Sequence, residues 1–170
     1  AFVADAATTV IILAGSKAAR KWQFLKRTFL PFVANEVFSQ IAEKEQNEMD
    51  YSFHASVAAF EIQDEVVTDL QRPSARGLTV SASAEEGVVI PGLLKETAKD
   101  ENQMRQFFLG AAENRACHAL PVGASINTST AVWEVNLTQS EGVNDGQSTR
   151  KCSSRLLIID LPCVDSLVDT

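Results

Sequence analysis

Hydrophobic and β-branched residues gather in a short run, Thr8-Thr-Val-Ile-Ile-Leu-Ala14, stopped by Gly15. A continuous apolar run of this length reads as a strand covered on both faces, so residues 8–14 are expected to form a central strand. Ser16 is then placed to cap a helix over residues 17–27, most of which are good helix formers. Pro31 suits a first helical turn. Phe32, Val33, Val37, Phe38 and Ile41 follow at helical spacing, which predicts a second helix from 31 to about 46. Residues 51–63 carry Phe53, Val57, Phe60 and Ile62 and predict a long strand, and residues 72–77 read as a turn. Residues 87–90 predict a short strand closed by Pro91-Gly92.

Helical spacing returns at Met104, Phe107, Phe108, Ala111 and Arg115, with Asp100 and Glu101 placed to complement the N-terminal dipole. Residues 129–138 alternate Ala131, Trp133 and Val135 against Val132, Glu134 and Asn136. A polar loop at 142–148 separates them from the apolar run at 155–161, and the pair predicts a hairpin. Strands interleaved with helices, plus one antiparallel excursion, define the expected class: an α/β layered fold with a mixed central sheet flanked by helices. The sequence shows no internal repeat.

Composition sets bounds on this picture. The 170 residues, 45% of them hydrophobic and 22% charged, are enough for one domain with a core. Fifteen Lys and Arg against 22 Asp and Glu leave a net charge of −7, which argues against indiscriminate binding of nucleic acid. Val10–Ala14 is far too short to span a membrane, and the N-terminus lacks the layout of a signal peptide, so a cytoplasmic protein without a membrane partner is expected. Cys117, Cys152 and Cys163 are odd in number and lack CxxC spacing, which predicts buried, reduced thiols rather than a disulfide framework or a zinc site. The sequons at Asn127 and Asn136 would matter only in a secreted chain. His54 and His118 fit neither zinc nor nucleophile–base spacing, and Trp22 and Trp133 are expected in the core. A start at Ala1 without Met, and an end just after an apolar segment, suggest one domain over residues 1–170 cut from a longer chain.

Several segments, taken in order, carry a family likeness. Val57-Ala-Ala-Phe-Glu61-Ile62-Gln63-Asp64-Glu65-Val-Val67-Thr-Asp69-Leu70 resembles the kinesin motor-domain strand ending in E-I-Y-N-E and its following hydrophobic-x-D-L step. Gly87-Val-Val-Ile-Pro-Gly-Leu93 is similar to the family's G-V-x-V-x-G-L, and Asn114-Arg115 to the N-R that ends its helix. Residues 126–130 fall on the switch I motif S-S-R-S-H, of which only Ser129 is kept, and 131–133 fall on the A-I-F of the next strand. Residues 156–165 resemble the switch II segment L-x-L-V-D-L-A-G-S-E, keeping Asp160-Leu161. Without gaps, residues 9–22 lie over T-V-F-A-Y-G-Q-T-G-S-G-K-T-Y. The resemblance runs from about residue 8 to 165 and implies a kinesin-like fold of the P-loop NTPase type, truncated at both ends.

It also implies a damaged nucleotide site. A phosphate loop, GxxxxGK[ST], needs glycines for its backbone cradle, a Lys for the outer phosphates and a hydroxyl for Mg²⁺. The corresponding positions here are Ala14, Ala19, Arg20 and Lys21. Ala19 resists a positive φ, Arg20 is a wider fork than Lys, and Lys21 puts a cation where Mg²⁺ should sit. The Arg–Glu contact between the family's switches is replaced by Thr128 and Asp165, which cannot pair. Phosphoryl transfer depends on positioning and electrostatics, so the expectation is a pseudo-motor without ATPase activity, cofactor or bound metal. Arg20, Lys21, Ser129 and Asp160 would be its vestigial nucleotide-site positions. Lys17, Arg20, Lys21, Lys26 and Arg27 would form a basic patch, read as a solvated helix face, a residual anion site or the seat of an acidic partner.

The family analogy points to a structural or protein-interaction module in a microtubule-based assembly of the cytoskeleton, with a cilium or flagellum as its setting. Tubulin or another kinesin-like chain would be its partner. Two alternatives stand beside it. One is a divergent ATPase in which Arg20, Ser129 and Asp160 still hold phosphate and metal; the other is a small α/β binding domain unrelated to motors.

Overall fold

The structure is a computed structural model and describes residues 7–16, 20–47, 51–84, 87–118, 129–142 and 149–163. Its strands are β1 (Thr8–Leu13), β2 (Tyr51–Gln63), β3 (Val66–Asp69), β4 (Ser81–Ser83), β5 (Gly87–Val89), β6 (Glu96–Ala98), β7 (Thr130–Gly142) and β8 (Thr149–Asp160). Its helices are α1 (Lys21–Phe24), α2 (Leu30–Asn47) and α3 (Glu101–His118). The main sheet runs β1-β8-β7-β2-β3, with β6 also pairing β2. Among the described strands of this sheet, β1 and β8 are parallel, and β8–β7, β7–β2, β2–β3 and β2–β6 are antiparallel. This is the mixed α/β sheet with flanking helices that the sequence predicts.

Alternation along the strands divides the side chains between two faces. Ala55, Val57 and Ala59 of β2, Ala131, Trp133, Val135 and Leu137 of β7, and Leu156 and Ile158 of β8 meet Val33, Val37 and Ile41 of α2 and Met104, Phe108 and Ala111 of α3. Both long helices therefore cover one face. On the other, Phe60, Val132, Leu157 and Ile159 pack with Leu78, Ile90 and Leu93, leaving an open groove of about 600 Å³ beside the β4–β5 pair.

Asp69 ties down the segments that cross this second face. Fully buried at the end of β3, its carboxylate accepts backbone N–H bonds from Gln71 (2.8 Å), Arg72 (3.2 Å) and Leu94 (3.0 Å), and it pairs with the Arg72 guanidinium at 3.2 Å. Arg72 also donates to the Gly92 carbonyl. The β2–β3 turn places Asp64 (φ 49°) and Glu65 (φ 66°) in the left-handed region, as a tight two-residue hairpin of this hand requires.

Four expectations need correction. The first strand is at the end of the described sheet, not its centre, and Val10 (48%) and Ile12 (60%) are exposed while Ile11 and Leu13 pack on the core. An apolar run does not reveal whether a layer covers its second face. The two expected helices, over 17–27 and from 31, are one helical run from Lys21 to Asn47, in which residues 25–29 form a π-turn. Pro31 lies inside this run. It cannot donate to the carbonyl four residues back and its ring would crowd that oxygen, and the wider π-turn just before it relieves both problems. Residues 17–19, where the expected helix begins, lie outside the described residues; the N-cap of α1 is Arg20 rather than Ser16, and its φ of 50° turns the chain into the helix.

The third correction concerns lengths and short strands. β7 and β8 extend four residues later and six earlier than the apolar runs indicate, because their outer ends are polar and the backbone ladder continues through them without an apolar pattern to mark it. The brief strands β3, β4 and β6 carry too few residues to show a period. Finally, Cys152 and Cys163 are half-buried rather than buried. His54 is exposed with Nε2 3.5 Å from Thr97 Oγ1, and the side chains of Cys117 and His118 lie outside the described residues. Among the described residues, no helix is long and apolar enough to cross a membrane.

Candidate functional site

Strand register builds one row across the sheet: Glu61 of β2 opposes Ala131 of β7, which opposes Asp160 of β8, which opposes Leu13 of β1. The row lies at the carboxyl ends of the parallel pair β1 and β8, where ligands of open α/β sheets characteristically bind. Alternation points both carboxylates toward the helical face, and the small Ala131 between them leaves a gap.

Arg115 fills that gap from α3. Its placement follows from the spacing Met104, Phe108, Ala111, Arg115, which puts it on the buried stripe of the helix. The guanidinium is fully buried, with Nη1 2.5 Å from Asp160 Oδ2 and Nε 3.4 Å from Glu61 Oε1. Nη2 donates to the Ser129 carbonyl at 2.9 Å, and Ser129 Oγ donates to Glu61 Oε1 at 2.5 Å. The Trp22 ring lies 5.1 Å from the guanidinium carbon and 6.4 Å from Trp133, closing the cluster from the helix side.

Lys21 completes the set from the first residue of α1. It is only 8% exposed, its Nζ stands 2.7 Å from Asp160 Oδ1, and it donates to the Leu161 carbonyl. The approach to Oδ1 is a charge pair outside hydrogen-bonding alignment, since that oxygen has no aligned donor among the described residues. Two carboxylates, Glu61 and Asp160, thus face two cations, Arg115 and Lys21, and the buried cluster is neutral. A buried charge is tolerable only when compensated in this way.

The positions singled out by sequence separate accordingly. Lys21, Ser129 and Asp160 come together; Arg20 is exposed, with its backbone carbonyl accepting from the N–H groups of Gln23 and Phe24. The expected basic patch is not one surface. Lys21 is turned inward, Lys26 pairs with Glu113 at 3.4 Å, Arg20 and Arg27 are exposed, and Lys17 lies outside the described residues. Ala18, Ala19, Thr128 and Asp165 also lie outside them. Glu61 and Arg115 carry no site role in the sequence reading, yet both break otherwise apolar patterns: Glu61 separates the run Val57-Ala-Ala-Phe60 from Ile62, and Arg115 occupies a core position of its helix.

Among the described residues, the side chains around Asp160 do not fit a magnesium ion. The Asp160 oxygen that would face an ion already has an ammonium beside it, and Lys21 offers no hydroxyl. Among the described residues, no group of three or more His, Cys, Asp or Glu side chains is placed to hold a metal ion.

Comparison with known proteins places these features in a family. Kinesin-like protein KIN-12A of Arabidopsis thaliana is 27% identical over 139 residues, covering 80% of this chain and 11% of the relative. Kinesin-like protein KIF22 of Xenopus tropicalis is 24% identical over 112 residues, covering 66% of this chain and 17% of the relative. The chain therefore spans between about a tenth and a sixth of these relatives. The structure of a fast kinesin, described for its ATPase mechanism and its interactions with microtubules, superposes with a TM-score of 0.81 at 19% identity, over 96% of this chain and 46% of that one. A family model described as Kinesin motor domain matches residues 25–170, beginning after the divergent stretch from Ala14 to Lys21. With the sheet, the order of its motifs and this match in agreement, the chain belongs to the kinesin motor-domain family.

Proposed function

We propose that this chain is a non-catalytic kinesin-like domain that serves as a structural or protein-interaction module in a microtubule-based assembly of the cytoskeleton. The observation that supports it is the Lys21–Asp160 pair: a side-chain ammonium takes the carboxylate at the end of β8, at the edge of the sheet where phosphate and metal would be handled. Hydrolysis of a phosphoanhydride depends on a positioned metal and water, and a fixed, neutral cluster of Lys21, Asp160, Arg115 and Glu61 provides neither. The partner proposed is tubulin or another kinesin-like chain, by analogy with the fast kinesin whose microtubule interactions are described. A cilium or flagellum is the proposed setting on analogy with the kinesin family alone.

Titration with ATP and ADP, with and without Mg²⁺, tests the first half of this reading. The expected result is no binding and no thermal shift at millimolar nucleotide. Magnesium-dependent turnover, abolished by substituting Arg20, would overturn it in favour of a divergent ATPase. Co-sedimentation with microtubules, unchanged by nucleotide, is the result expected for the second half.

A further inference from the structure

The cluster holds a cation that is part of the chain itself. We infer that Lys21 is a tethered counter-ion occupying a divalent-cation position, so that removing its charge uncovers a weak site for a free divalent cation between Asp160 and the Leu161 carbonyl. The inference rests on the non-catalytic reading above and specifies what replaced the ion.

The argument is one of charge and donors. Glu61 and Asp160 contribute two negative charges, Arg115 and Lys21 two positive ones. Arg115 already serves Glu61, Ser129 and Asp160 Oδ2 through its three nitrogens. That leaves Asp160 Oδ1 and the Leu161 carbonyl, both acceptors, directed at one point, and the Lys21 Nζ is at that point. A carboxylate oxygen and a backbone carbonyl, with waters filling the rest of the shell, make an ordinary hard-cation ligand set. Methionine in place of Lys21 keeps the length of the stem and loses the charge, so one buried carboxylate is left without compensation and attracts a cation from solution. Lys21→Arg keeps the charge and leaves no room for an ion.

The test uses Mn²⁺ alone, without nucleotide, on the chain and on three variants, read as melting temperature and as Mn²⁺ bound by electron paramagnetic resonance. The unsubstituted chain and K21R are expected to ignore Mn²⁺. K21M is expected to melt lower and to recover at least half of the loss at about 10 mM Mn²⁺, binding roughly one ion. The double variant K21M/D160N is expected to fold and to ignore Mn²⁺. A K21M chain that does not respond to Mn²⁺, or that remains unfolded in it, overturns the inference. So does a double variant that fails to fold, because the Lys21 stem rather than its charge would then be what matters. Nucleotide binding by the unsubstituted chain would instead overturn the non-catalytic reading, and the two failures are distinguishable.

Discussion

Glu61 and Asp160 stand in one cross-strand row, two strands apart, and the guanidinium of Arg115 spans the distance between them. An arginine can do this where a lysine cannot, because its planar fork presents several donors at fixed angles.

Arg115→Leu is expected to destabilise the domain by about 3–5 kcal/mol, because it strands two buried carboxylates with only Lys21 to compensate them. Urea denaturation at neutral pH measures the loss. Arg115→Lys is expected to recover only part of it, since a point charge reaches one carboxylate at a time.

Asp69 stabilises through three backbone N–H groups and one guanidinium. Asp69→Ala leaves these donors unpaired and is expected to cost about 3 kcal/mol or more. Limited proteolysis should then cut first near residues 70–78 and 91–94, the two segments that the carboxylate holds. A variant cleaved elsewhere with its stability intact would contradict this account.

Glu65 has φ of 66° without being glycine. Glu65→Gly removes the clash of its Cβ in this conformation and is expected to raise stability by about 1 kcal/mol, seen as a later urea midpoint with an unchanged slope. Glu65→Val, β-branched, is expected to lower it.

Trp133 is fully buried, and its indole N–H has no hydrogen-bond partner among the described residues. Trp133→Phe gives up some contact area but also an orphan donor, so the net change is expected to stay within about 1 kcal/mol. Trp133→Ala removes the whole ring from between α1 and the sheet and is expected to cost about 3–5 kcal/mol.

Much of the fold was legible because its long elements have clear periods. Residues 51–63 form the strand their β-branched and aromatic content predicts, and α3 follows the spacing from Met104 to Arg115. The hairpin of β7 and β8 was legible in its apolar halves and hidden in its polar ones. What misled was local chemistry with two tertiary outcomes. Pro31 opens helices more often than it sits behind a π-turn, and Val10 and Ile12 read alike whether a second layer covers them or not. In the site, Asp160 and Ser129 were legible through the family motifs, and Lys21 through its departure from them. Glu61 and Arg115 were legible as letters of the family motifs and as charges in apolar patterns, but not as partners, because their meeting depends on strand register, which a single sequence does not specify.

The cluster also bears on the order in which the chain folds. Its members are far apart in sequence: Lys21 and Leu161 by 140 residues, Arg115 and Glu61 by 54, Arg115 and Asp160 by 45. Arg115 reaches both carboxylates only with α3 packed on β2 and β8, which β7 joins, and Lys21 reaches Asp160 only across the β1–β8 end of the sheet, so the complete set is expected to close late in folding. Truncating Arg115 should therefore accelerate unfolding far more than it slows folding, giving a φ-value near zero in a chevron analysis. By that measure the cluster acts as a latch: it adds little to the speed of assembly and much to the lifetime of the assembled sheet.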